Sequence, residues 1–190
     1  MILAQPGWVN LLILVPVAGF WLWRKRKIDL SWPTLTAAAI FGLAFGVVEA
    51  VVVIYLRGIS AVINGYGASL AEIARFSKDI YQLKIVNQIH PSLLSLEFFR
   101  EIATMIMLAA VAFIATPKWR ERWAVFLWTF AVWDIFYYAV LYLTLGWPMS
   151  LTTTDILFLV PVVWLGPVWF PLSVSILTLL AVGFNLRQPK

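Results

Sequence analysis

"SLEFFREIATMIMLAA", Ser95–Ala110, opens on two carboxylates and a guanidinium and continues as an apolar run. Extended to Ala115, the run can cross the ~30 Å hydrocarbon layer as a helix. Glu97 and Glu101 are four residues apart and share a helical face. Arg100 lies between their azimuths, and Thr104 and Leu108 continue the stripe. An ionised side chain at the centre of a bilayer costs at least ~2.5–3.5 kcal/mol. Such a helix needs neighbours that compensate its charges.

Composition places the whole chain in that class. Of 190 residues, 63% are hydrophobic and only 12% are charged. A soluble domain carries about 25% charged residues, and this chain has too little polar surface to cover a core in water. The expectation is an all-α, polytopic helix bundle forming a single domain over 1–190. Cysteine is absent, which excludes disulfides, thiolate metal sites and cysteine nucleophiles. His90 is the one histidine, so bis-histidine haem is impossible within this chain and no haem is expected. Set before Pro91, it reads as a loop residue.

Five apolar segments are expected as spans, at about 8–23, 33–56, 93–115, 123–145 and 168–186. The first carries no basic stretch before it and no small-residue cleavage site after it, so it reads as a retained helix. "LTTTDILFLVPVVWLGP", Leu151–Pro167, is apolar but broken by Pro161 and by Gly166-Pro167. It is expected as a half-helix over 151–164 that re-enters the membrane, six full spans being the alternative. The segment 57–92 is expected as an outer loop. Within it, Leu70, Ile73, Ile80 and Leu83 alternate with Glu72, Arg75, Lys78, Asp79 and Gln82, the pattern of an amphipathic surface helix over Ser69–Ile89.

Charge sets the orientation. The net +5 combines basic loops with an acidic membrane part. All 14 Lys and Arg residues except Arg100 are assigned to loops or chain ends. Arg24–Lys27, Pro117–Arg122 and the terminal Arg187–Lys190 all favour the cytoplasmic side. The expected location is the plasma (inner) membrane, with the N-terminus outside and the C-terminus cytoplasmic. A basic balance of this origin speaks for topology and not for nucleic acid.

On this topology Glu49, Glu97, Glu101, Asp134 and Asp155 all fall between the middle and the outer rim of the membrane. Gly42 and Gly46 form a small-xxx-small pair whose next position is Glu49, which should therefore face another helix. Tyr137 and Tyr138 follow Asp134 by three and four residues and can donate to it. Asp155 follows Ser150, Thr152, Thr153 and Thr154, as an acid at a helix start would. Several of the 11 tryptophans lie near span ends, as an interfacial belt does.

A cluster of carboxylates without thiolate suits hard or borderline cations, namely Mn, Fe, Mg or Ca. The expected metal ligands are Glu49, Glu97, Glu101, Asp134 and Asp155, with Arg100, Tyr137 and Tyr138 as further binding residues. Such a site could act on a membrane-soluble substrate, although no catalytic residue is identified. Two alternatives come from other classes: a proton- or cation-coupled carrier, and an accessory subunit of a larger membrane complex. The partners these readings imply are membrane lipid, a lipophilic or cationic small molecule, and a second copy or another membrane protein.

Overall fold

The structure, a computed structural model, describes residues 2–79 and 91–187. His90, Ile80, Gln82 and Leu83 lie outside the described residues. A 3₁₀ helix, Gly7–Ile13, leads into α1, Leu14–Lys25. There follow α2 (Trp32–Ile63), α3 (Leu70–Asp79), α4 (Pro91–Ala115), α5 (Trp119–Leu145), strands β1 (Thr154–Phe158) and β2 (Trp164–Pro167), and α6 (Trp169–Gly183). Among the described residues, four helical stretches are long and apolar enough to cross a membrane: Gly7–Lys25, Trp32–Ile63, Ser92–Ala115 and Trp119–Leu145. α6 is apolar but shorter, with 15 residues. Outward faces are themselves apolar, with Ile40, Ile59, Ile106, Ile114 and Leu143 exposed. In a protein whose solvent is lipid, those faces require no polar cover.

The helix α2 is 32 residues long, about 48 Å at ~1.5 Å per residue. It starts with Ser31, whose hydroxyl accepts a hydrogen bond from the Thr34 amide at 3.3 Å, and with Pro33 in the first turn. Its far end corrects the expected boundary. Residues 57–63 continue the helix and are not loop, because Ile59, Ala61, Val62 and Ile63 are as apolar as the run before them. Only Arg57 interrupts the pattern. The short α3 is capped by Ser69, which accepts from the Glu72 amide at 3.3 Å. It buries Ile73 and Phe76 against Ile54, Ala61, Leu141 and Leu145 of α2 and α5.

The spine of the bundle is the α2–α5 pair. A Cβ placed on Gly42 would stand 2.7 Å from the Thr129 carbonyl oxygen. On Gly46 it would stand 2.7 Å from that of Trp133. Two glycines one turn apart thus let the backbones touch, the close packing that small residues give membrane helices. At one end of the bundle Trp23, Ile28, Leu35, Ala124, Val182 and Leu186 pack together. Lys118 donates to Asp29 at 2.7 Å there, and its hydrogen bond and charge hold the Asp29 carboxyl below its ordinary range. Arg187 N donates to the Ile28 carbonyl at 2.9 Å. Arg24–Lys27, Lys118 and Arg187 therefore share one basic end.

The expected half-helix over 151–164 is not formed. Those residues enter an antiparallel hairpin, pairing Thr154 with Pro167 and Asp155 with Gly166. The chain is therefore not all-α. Thr152-Thr153-Thr154 are β-branched, and Pro161 and Pro167 lack the amides a helix would need. The hydroxyls that suggested a helix start instead brace a turn, Thr153 Oγ1 accepting from the Ser150 amide at 3.1 Å. The hairpin follows α5 at the end opposite the basic one, and Leu159, just past β1, reaches Glu101 of α4. Its β2 edge is paired by Gln5, whose N and O both bond Leu165, at 2.6 and 2.8 Å. Asp155, Leu159, Gly166 and Pro167 of the hairpin are buried against the helices, while Pro161 and Val162 at its turn are exposed.

Gly46→Leu should force α2 and α5 apart and lower stability by about 2 kcal/mol or more, as overpacking does. Gly183→Ala, whose Cβ would meet nothing within 4 Å, should leave the melting temperature in detergent unchanged. Thermal denaturation of the two variants checks this.

Candidate functional site

Arg100 is the charged node of the interior. Its Nε donates to both carboxylate oxygens of Glu97 at 2.9 Å, and its Nη2 also bonds Glu97. Its Nη1 bonds Glu49 across on α2. Thr104 closes the group from the next turn, donating to the Arg100 carbonyl at 3.0 Å. The i, i+3 spacing brings Glu97 to Arg100, and the Gly42–Gly46 stripe turns Glu49 inward. The salt bridge that opens the α4 sequence is thus a three-residue bridge between two helices.

The other acids are held separately. Glu101 Oε2 accepts from the Leu159 amide at 2.8 Å, so it caps backbone just past the end of β1. Asp134 accepts from the Ser175 hydroxyl of α6 at 2.8 Å. Asp155, on β1, accepts from the Tyr138 hydroxyl at 3.0 Å. The phenol expected to serve Asp134 therefore serves Asp155 instead. A tyrosine four residues after an acid lies one turn further along the helix, where it meets the strand. Tyr137 stacks edge-on against Tyr138, with ring centres 4.9 Å apart.

The five acids, Arg100, Thr104, Tyr137 and Tyr138 all line one cavity of about 440 Å³. Its walls come from α2, α4, α5, the hairpin and α6, with Leu12 and Val15 at the side. The lining changes character along its length. Toward the hairpin end stand Arg57, Asp155, Tyr137, Tyr138, Glu49 and Asp134. Toward the basic end stand Trp123, Phe126, Leu127 and Phe130. Trp123 and Tyr138 are 15 residues apart on α5, about 22 Å. The charged groups of a largely apolar lining thus gather toward the hairpin end, among Val53, Leu56 and Leu94, while the basic end is aromatic and aliphatic. A second hollow of about 370 Å³ runs between α4 and α5 and shares Met105, Trp123, Phe126 and Phe158 with it.

Arg57, expected in a loop, is instead a buried part of this lining, 3% exposed. Its guanidinium lies 3.8 Å from the centre of the Trp147 ring. The apolar residues on both sides of it, "YLRGISAVI", were the available signal. Ser175 could not be singled out, because a serine in an apolar helix carries no mark of its partner. Among the described residues, no three acidic or histidine side chains are grouped so as to hold a metal ion. The five acids share a cavity, and each has its own protein hydrogen bond there.

No protein-family model matches the chain, and neither a curated protein nor a solved structure matches it.

Removing one partner from a buried ion pair leaves a charge uncompensated and costs about 3–5 kcal/mol. Arg100→Met strands two carboxylates, whereas Glu97→Gln and Glu49→Gln each leave Arg100 one partner. The arginine variant should therefore be the least stable of the three, by about 2 kcal/mol or more. Melting temperatures in one detergent, compared side by side, check the order.

Proposed function

We propose that this protein is an integral membrane protein that holds the polar end of a membrane-soluble amphiphile. The observation that carries the reading is the gradient along the cavity wall. A molecule with a hydrogen-bonding head and a hydrocarbon tail matches both ends, whereas a wholly polar or wholly apolar one matches only one. The volume lies within the ~300–1,000 Å³ typical of small-molecule sites. The α4–α5 hollow, which shares Met105, Trp123, Phe126 and Phe158 with the cavity, would give the tail a path to lipid.

In this reading five helices cross the membrane, α6 being the last, and the hairpin dips in from outside. The basic end faces the cytoplasm by the positive-inside rule. That places the N-terminus outside and the C-terminus inside a plasma membrane. The chain has no cysteine, so single introduced cysteines report cleanly. Cys at position 26 should react with an impermeant maleimide only after permeabilisation, and Cys at position 68 in intact cells. Labelling of position 26 in intact cells would reverse the orientation.

A divalent cation is the second reading, favoured by five carboxylates against two guanidiniums around one cavity. Extraction of the protein purified in mild detergent, followed by mass spectrometry and elemental analysis, separates the two. The amphiphile reading expects a stoichiometric lipophilic molecule that Thr104→Trp, which fills the cavity, removes. The cation reading expects a stoichiometric metal that Glu101→Gln removes. A wild-type protein that retains no amphiphile would sink the first reading.

A further inference from the structure

The hairpin end of the cavity holds a charge that the protein does not balance by contact. Arg57 is almost fully buried, and its Nε and Nη1 have no hydrogen-bond partner among the described residues. Trp147 covers one face of the guanidinium but accepts nothing from N–H groups that lie in its plane. Asp155 lines the same cavity and is itself buried, yet the two form no ion pair. Asp155 is instead bound by Tyr138. Glu49 lies eight residues away on α2, about 12 Å along the axis, and is taken by Arg100. A buried guanidinium needs both a counter-charge and acceptors.

The opposite sign is in excess beyond it. Once Arg100 has taken Glu49 and Glu97, the carboxyl groups of Asp155, Asp134 and Glu101 face the cavity with no cation in contact. A purely anionic head would satisfy Arg57 and be repelled by these acids. A purely cationic head would do the reverse. We propose that the polar end of the cavity is a subsite for a zwitterionic lipid head, its phosphate on Arg57 and its primary ammonium on Asp155 and the deeper carboxylates. A primary ammonium is specified because carboxylates are acceptors, and a quaternary ammonium has no N–H to give them. The head then stands toward the hairpin end, and the acyl chain runs past Phe126 and Phe158 into the α4–α5 hollow. This is the direction an outer-leaflet lipid already has. The proposal rests on the amphiphile reading above and names its ligand class.

The test is native mass spectrometry of the detergent-purified protein titrated with single-chain phospholipids of one acyl length. The heads compared are ethanolamine, choline and glycerol, with free phosphoethanolamine as a tail-less control. The ethanolamine lipid should bind about tenfold tighter than the other two, the order of one charge-assisted hydrogen bond, and the free head group should not be retained. Asp155→Asn should bring the ethanolamine and glycerol lipids to near parity. Arg57→Gln should weaken all three by about tenfold. Equal binding of the three lipids by the wild type would overturn the subsite while leaving the amphiphile reading in place. Binding of none would overturn both. Free phosphoethanolamine binding as tightly as its lipid would show a soluble ligand and overturn the lipid assignment. The wild-type series decides the matter even where a variant fails to fold.

Discussion

One guanidinium, Arg100, joins the two sides of the interior. α4 packs along α5, but across the cavity it is tied to α2 by the bridge from Glu97 through Arg100 to Glu49. In water such a pair would contribute little. In a lipid-surrounded interior, separating it means leaving charge without compensation, so the helices stay where the bridge sets them. The cavity exists because this connection spans a gap that side-chain packing does not fill. Toward the hairpin the walls add Arg57, Asp155 and the two tyrosines to apolar neighbours, and toward the basic end they are mainly aromatic.

A second constraint acts on the backbone. Every amide at membrane depth must find a partner, and a hairpin has two edges that a helix lacks. Here Gln5 pairs one edge, and Glu101 accepts an amide just past the end of the other strand. Glu101 therefore has a structural duty and faces the cavity as well. This double role means that its place in the sequence, one turn past Glu97, could not reveal which element it served.

Much of the architecture was legible because hydrophobic runs of bilayer length leave few alternatives. The inward turn of Glu49 followed from Gly42 and Gly46, and the pairing of Glu97 with Arg100 followed from helical spacing. The basic clusters proved to lie at one end, as their alternation with the spans required. Other features depended on partners distant in sequence. Arg57 looked like a helix terminus because charge normally ends a span, and only its contact with Trp147 shows why it is tolerated inside. Thr152–Asp155 carried the marks of a helix start and the β-propensity of a strand at once. Pro161 and Pro167 opposed a helix, and the pairing of the two strands that replaced it could not be weighed from one segment alone. That Tyr138 would reach Asp155 rather than Asp134 depended on the strand being there.

The brevity of α6 has a consequence for the surrounding lipid. Its 15 residues extend about 22 Å, against a hydrocarbon layer of ~30 Å. The hairpin, with its ends beside the start of α6, supplies protein but not a lipid-facing helix of matching height. Hydrophobic mismatch of this sign is relieved by local thinning of the bilayer, at a cost of fractions of a kcal/mol per Å. With α6 as the fifth span of the proposed topology, lipids beside it would be drawn toward the midplane and be less well ordered than those elsewhere around the bundle. In that topology the protein would carry its own dimple in the membrane, on the flank where the hairpin enters.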